Sequence, residues 1–213
     1  MRKRKYTALA ERVHTCDEGT DYPVARIHNI VSTALIESTQ KQLDLDRICE
    51  MLPGSSYDRR KFAAMTIRLA NPNCTILLFA SGKLVVTGGR TWYESILSCL
   101  FLRVFLQRIM VGEHFAVRSC DIQNIVAHVE VLREPNTFLD IDAMYVAMNM
   151  QCTYQKQMFP GLIYRPPASP VVLLCFYSGK IVITGGKSPK DVHDGWNRLW
   201  PTVKVFIKHK LNP

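Results

Sequence analysis

The sequence repeats itself. Ser81-Gly82-Lys83-Leu84-Val85-Val86-Thr87-Gly88-Gly89 returns 97 residues later as Ser178-Gly179-Lys180-Ile181-Val182-Ile183-Thr184-Gly185-Gly186. Leu77-Leu78-Phe79 returns at the same offset as Leu174-Cys175-Phe176, and Phe62 as Phe159. Asn29-Ile30-Val31 returns as Asn124-Ile125-Val126 at an offset of 95, and Leu43-Asp44-Leu45-Asp46 as Leu139-Asp140-Ile141-Asp142 at 96. Several blocks in one order at a nearly constant spacing mark a duplication. A unit of about 95 residues is too long for a solenoid repeat and long enough to bury a core. The 213-residue chain therefore reads as two pseudo-symmetric copies, at 22–113 and 114–213, behind a short basic segment at 1–21.

Each copy carries the same plan. In the first, residues 25–35 read as a strand, and Leu43-Asp44 opens a short helix with acids in its first turn, where the helix dipole favours them. Pro53-Gly54-Ser55-Ser56 breaks that helix, residues 63–69 read as a strand, and Asn71-Pro72-Asn73 is a turn. Residues 75–79 and 83–87 flank Ser81-Gly82 as a hairpin, and a long helix runs from Thr91 to about Met110. The expected class is α+β: one antiparallel sheet with both long helices on one of its faces.

The other face can be read by period two. Leu77 with Phe79, Val85 with Thr87, and Asn29 with Val31 share it; Leu174, Phe176, Val182, Thr184, Asn124 and Val126 match them in the second copy. The alternate set, such as Leu78, Leu84 and Val86, is left to pack under the helices. A sheet covered by helices on one side should be polar on the other. Here both faces are apolar, which marks the uncovered one as a binding surface. Short donors and flat aliphatic side chains suit the shallow acceptor row of an A·T minor groove. Phenylalanine pairs at the two ends would wedge between base steps, and Arg and Lys at the rim would hold phosphates. The net charge of +9 and pI of about 9.3 agree with an acidic partner.

Other functions find less support. Seven cysteines, no two closer than 21 residues, offer no CxxC pair and read as reduced, mostly buried thiols. The six histidines show no HxH or HxxxH spacing. Asp44 with Asp46, and Asp140 with Asp142, stand two apart and so do not share a helix face; they read as helix starts rather than metal ligands. No Walker, GxGxxG or nucleophile-elbow pattern occurs, so no enzyme, cofactor or metal is expected. No apolar run reaches the ~20 residues of a membrane span. Met1-Arg2-Lys3-Arg4-Lys5 reads as a nuclear-import or phosphate-contacting tail, or as a solvated end.

These residues resemble the conserved core of the TATA-box-binding protein family over residues 24–208. The first copy carries Asn29-Ile30-Val31-Ser32-Thr33, Lys61-Phe62-Ala63-Ala64 and Phe79-Ala80-Ser81-Gly82-Lys83. The second carries Gln123-Asn124-Ile125-Val126, Phe159-Pro160-Gly161-Leu162-Ile163-Tyr164-Arg165 and Phe176-Tyr177-Ser178-Gly179-Lys180. The resemblance implies a saddle-shaped sheet with two long helices on its convex face. It implies a nuclear transcription initiation factor that bends TATA-type promoter DNA and nucleates the preinitiation complex. Phe62 with Phe79 and Phe159 with Phe176 would intercalate. Asn29, Val31, Leu77, Val85, Thr87, Asn124, Val126, Leu174, Val182 and Thr184 would meet the groove floor. Lys61, Arg68, Lys83, Arg165 and Lys180 would contact phosphates.

Two surfaces depart from that pattern. Where most members carry an acidic pair used to bind transcription factor IIB, this chain has Gln155 and Gln157. Where members carry basic residues that meet transcription factor IIA and repressors, the first long helix shows Trp92, Ile96, Leu100, Phe101 and Val104. Trp92, Ile96, Leu100 and Val104, four residues apart, form a stripe expected to bind a lineage-specific partner or a second copy. The alternative function is a divergent paralogue that binds DNA or partners and regulates or competes with initiation.

Overall fold

The computed structural model describes residues 22–210. The basic segment 1–21, with Met1 to Lys5 and Cys16, lies outside the described residues. Two compact units divide the described residues within the two longest strands, one covering His28–Asn124 and the other joining residues 22–27 to residues 125–210.

The first unit runs β1 (Arg26–Ser38), α1 (Leu45–Met51), β2 (Ser55–Ser56), β3 (Ala64–Arg68), β4 (Thr75–Phe79), β5 (Lys83–Thr87) and α2 (Trp92–Ile109), then enters β6 (Phe115–Glu130). Its strands are antiparallel in the order β2-β3-β4-β5-β1. Alternate residues explain the packing. Ile76, Leu78, Leu84 and Val86 are fully buried and form one cluster with Cys99, Leu102 and Leu106 of α2. Small residues let helix and sheet approach closely: Ser95 and Ser98 are fully buried, and Ser32 Oγ donates to Ser95 Oγ at 3.1 Å.

Side-chain caps set the helix starts. Asp44 accepts from Arg47 N at 3.1 Å, which confirms the helix-start reading of that acid. Thr91 and Glu94 form a reciprocal capping box at the head of α2. Burial pushes the Glu94 carboxyl up, but the N–H groups of Arg90 and Thr91 and the Thr91 hydroxyl outweigh it and hold it below its ordinary value. The β4–β5 turn needs Gly82: its φ is +79°, and a Cβ there would stand 2.2 Å from the Ile36 carbonyl oxygen.

The second unit repeats the plan with the rest of β6, β7 (Thr137–Leu139), α3 (Ile141–Ala147), β8 (Cys152–Thr153), β9 (Leu162–Tyr164), β10 (Val172–Cys175), β11 (Lys180–Gly186), α4 (Pro189–Lys204) and β12 (Ile207–His209). Strand order is β6-β11-β10-β9-β8, with β7 and β12 as a separate pair. Asp140 caps α3 through Ala143 N, as Asp44 caps α1. Residues ahead of β1 dock on α4: Trp196 Nε1 donates to the Pro23 carbonyl at 2.6 Å, and the Tyr22 hydroxyl donates to the Asn197 carbonyl at 2.6 Å. Cys74, Cys99, Cys120 and Cys175 are buried, and Cys49 and Cys152 half-buried.

Candidate nucleic-acid interface

Each half-sheet has a face that its long helix does not cover. In the first unit the register aligns Ser56, Thr66, Leu77, Val85 and Thr33 in one row across five strands. Arg68, Thr75 and Thr87 form the next row, and Ala64 with Phe79 the row on the other side. Leu77, Val85 and Thr33 are half-buried while their sequence neighbours Leu78, Leu84, Val86, Ser32 and Ala34 are buried. The second unit aligns Thr153, Ile163, Leu174, Val182 and His128 in the equivalent row, with Val172 and Thr184 beside it. Val31, Asn124, Val126, Leu174, Val182 and Thr184 are likewise half-buried.

At one end of each face two phenylalanines meet edge to face. Phe62 and Phe79 have centroids 6.2 Å apart and planes at 64°; Phe159 and Phe176 are 5.7 Å apart at 70°. Phe62 is 50% exposed and Phe159 37% exposed, so neither serves as core. A single turn holds each in place: Phe62 N donates to the Asp58 carbonyl at 3.0 Å, and Phe159 N to the Gln155 carbonyl at 2.9 Å. Gly161 permits the tighter second pair, since a Cβ there would lie 2.6 Å from the Phe159 ring and 2.9 Å from that of Phe176.

Asn29 is oriented by its own unit. Its Oδ1 accepts from Gly88 N at 2.7 Å and from the Thr87 hydroxyl at 3.2 Å. A backbone N–H can only donate, so the amide is fixed with oxygen inward. The side chain then offers its Nδ2 donor to a ligand. His28, Asn29, Asn73, Thr87, Gly88, Arg90 and Glu94 line an open cleft of about 580 Å³ at this place.

Lys61, Arg68, Lys83, Arg165 and Lys180 are all exposed. Lys61 lies 3.7 Å from the Asp58 carboxylate with both side chains in solvent, a contact too weak to withhold the ammonium from a phosphate. Gln155 and Gln157 are exposed beside Met158, and Lys156 between them pairs with Asp142 at 2.6 Å. Asp142 raises the Lys156 pKa.

Two residues of the expected helix stripe need correction. Ile96 packs against the core cluster of the first unit, and Trp92 is half-buried with Nε1 donating to the Cys120 carbonyl at 2.9 Å. The helix is rotated so that Tyr93, Leu97, Leu100, Phe101 and Val104, all 40–52% exposed, form the outer surface. Sequence reasoning missed Tyr93 and Leu97 by assuming a four-residue step along the helix; an α-helical stripe drifts and also uses steps of three. It also missed Ser56, Thr66, Thr33, Thr153, Ile163 and His128. The same two-residue alternation, carried through β3 and past Val31 in β1, would have found Thr66 and Thr33.

The chain is thus a duplicated α+β protein with one uncovered, partly apolar sheet face in each copy. The family profile described as transcription factor TFIID (or TATA-binding protein, TBP) matches residues 24–106 and 119–206. The TATA-box-binding protein of Caenorhabditis elegans is 34% identical over 188 residues, covering 88% of this chain and 53% of that protein. Those of Acanthamoeba castellanii and Candida albicans are 33% and 34% identical, over 95% and 87% of this chain and 76% and 74% of their own lengths. The chain thus spans about half of the nematode relative and about three quarters of the other two. The solved structure of Methanococcus jannaschii TBP superposes with a TM-score of 0.69 at 30% identity, covering 85% of this chain and 98% of that one. The chain belongs to the TATA-box-binding protein family and has its α+β fold.

Proposed function

We propose that this chain is a nuclear transcription initiation factor that binds A·T-rich promoter DNA in the minor groove and bends it. The observation that carries the reading is the duplicated open face: Leu77 paired with Val85 in one unit and Leu174 with Val182 in the other, each beside a pair of partly exposed phenylalanines. Aliphatic side chains fit a groove floor that lacks the guanine amino group, and the Asn29 donor fits the A·T acceptor row. The phenylalanine pairs are flat wedges for unstacking a base step at each end. The exposed cations take the phosphates, the term that makes binding fall with salt. Among the described residues no three His, Cys, Asp or Glu group as a metal would need.

Bound to a promoter, the protein would nucleate assembly through a transcription factor IIB-like protein at the second unit and a IIA-like protein elsewhere. The glutamines at 155 and 157 and the apolar outer face of α2 favour a second reading, a paralogue that occupies promoters and competes with initiation. One gel-shift series separates these. Selective binding to a TATA duplex over a G·C-rich one is expected under both readings. A further mobility shift on adding transcription factor IIB supports the initiator, and its absence supports the competitor. Equal affinity for both duplexes would refute minor-groove recognition.

A further inference from the structure

Strand β12 has an open edge. It pairs antiparallel with β7, Ile207 opposite Leu139, Lys208 opposite Phe138 and His209 opposite Thr137. Asp140 N donates to the Phe206 carbonyl at 2.8 Å, and Lys210 N to that of Asn136 at 2.7 Å. Bonding alternates along an antiparallel strand, so Phe206, Lys208 and Lys210 bond towards β7, and the N–H and C=O groups of Ile207 and His209 turn to the other edge. The far edge of β7 is taken, because Leu139 N donates at 3.1 Å to the Tyr177 carbonyl in the β10–β11 turn. The far edge of β12 carries no strand among the described residues.

Side chains alternate too. Leu139 is buried and Ile207 half-buried, so this pair faces inward, and Phe138, Lys208 and Lys210 face outward. Phe138 stacks on Tyr177, with ring centroids 4.9 Å apart and planes at 22°, and Tyr177 is 50% exposed. Lys208 and Lys210 are exposed. Glu134 stands 3.6 Å from the His209 imidazole, and neither Lys208 nor Lys210 pairs with an acid among the described residues. Lysine on an edge strand commonly keeps other chains away. That role does not call for an exposed aromatic stack on the same face. An open edge, an apolar plate and two like charges together suit an extended chain of opposite charge. The first unit has no counterpart: the repeat offsets put Gln42 at the position of Phe138 and Ale80 at that of Tyr177, and the chain leaving α2 runs into β6 rather than into a separate strand.

We infer that β12 takes up an extended acidic segment of a partner protein as a third strand of the β7–β12 sheet. The backbone of that segment bonds to Ile207 and His209. Its alternate side chains place carboxylates beside Lys208 and Lys210, and the residues that follow cross the outer face to set an apolar side chain on the Phe138–Tyr177 stack.

The test is an anisotropy titration of the full chain against a fluorescein-labelled peptide in which Asp and Val alternate, with Trp at each end. Saturable binding is expected, and a peptide with Lys in place of Asp should not bind. Lys208→Ala with Lys210→Ala should weaken binding at least about threefold. His209→Pro should weaken it about fivefold or more, because proline removes the outward N–H and leaves the pairing with β7 in place. Tyr177→Ala should weaken it through the aromatic plate and leave the edge intact, which keeps the inference testable if the proline variant folds poorly. Equal affinity for wild type and all three variants, or no saturable binding of the acidic peptide to wild type, would overturn the inference. Oligothymidylate binding that is lost in the double alanine variant, with the acidic peptide ignored by wild type, would overturn it and assign the face to single-stranded nucleic acid.

Discussion

Asn29 performs two tasks that substitution can separate. Its Oδ1 anchors the Gly88 turn through the 2.7 Å bond from Gly88 N, and its Nδ2 is the donor left for a base edge. Asn29→Ala removes both. The lost bond lies at an exposed turn, so it should cost about 0.5–1.5 kcal/mol of folding stability. The lost base contact should cost about 1–3 kcal/mol of binding, roughly tenfold to a hundredfold. Asn29→Asp keeps an oxygen for Gly88 N and so keeps the fold. It sets a carboxylate against groove acceptors, and like-charge juxtaposition costs several kcal/mol, a loss of about a hundredfold or more. The two variants should therefore rank in opposite orders. Urea denaturation should find Asp close to wild type and Ala less stable, while anisotropy on an A·T-rich duplex should find Ala weakened and Asp weaker still. Asp binding as tightly as Ala or better would refute the assigned orientation of this amide.

Further outcomes follow from the same geometry. Replacing Phe159 and Phe176 together with Ala should abolish most of the bend at one end, read as reduced energy transfer between fluorophores on the DNA termini; an unchanged signal would mean that the pair does not wedge. Leu97→Glu with Leu100→Glu should leave folding and DNA binding intact, because both side chains are on the outer surface of α2, and should weaken self-association or partner capture in sedimentation and pull-down assays. Global unfolding of that double variant would contradict the placement of this face. Glu94 has its folded pKa lowered, so the stability it contributes is present above the ordinary carboxylate pKa and is lost as pH falls through that range. Glu94→Gln should accordingly lower the urea midpoint at pH 7, with the gap from wild type narrowing towards pH 3, and a constant gap would contradict the capping role.

The repeat made the fold class legible, because each copy had to form the same α+β unit and period-two alternation named its two faces. Leu78, Leu84 and Val86 are buried, and Leu77 and Val85 half-buried, as that alternation requires. The helix caps were legible too, since Asp44 and Asp140 stand where the dipole and free N–H groups want them. Less legible was anything set by register. Period two gives Thr66 and His128 their face, but which residues stand beside them in a row is set by cross-strand pairing, which local periodicity does not determine. The rotation of α2 was hidden because the helix is apolar nearly all round, so its pattern could not say which side meets the sheet. The structure settles it through Ser95, Ser98 and Cys99, small side chains that allow the closest approach. The docking of Tyr22 and Pro23 on α4 is a contact across more than 170 residues and leaves no local signature.

Inosine substitution separates minor-groove from major-groove recognition. Replacing every A·T pair of a TATA duplex with inosine·C leaves the minor-groove pattern of acceptors intact and rewrites the major groove. Anisotropy at physiological salt should give affinities for the two duplexes within about threefold, with the corresponding G·C duplex weaker by at least about a hundredfold. An inosine·C duplex bound as weakly as the G·C duplex would mean that the bases are read from the major groove, and would contradict the account.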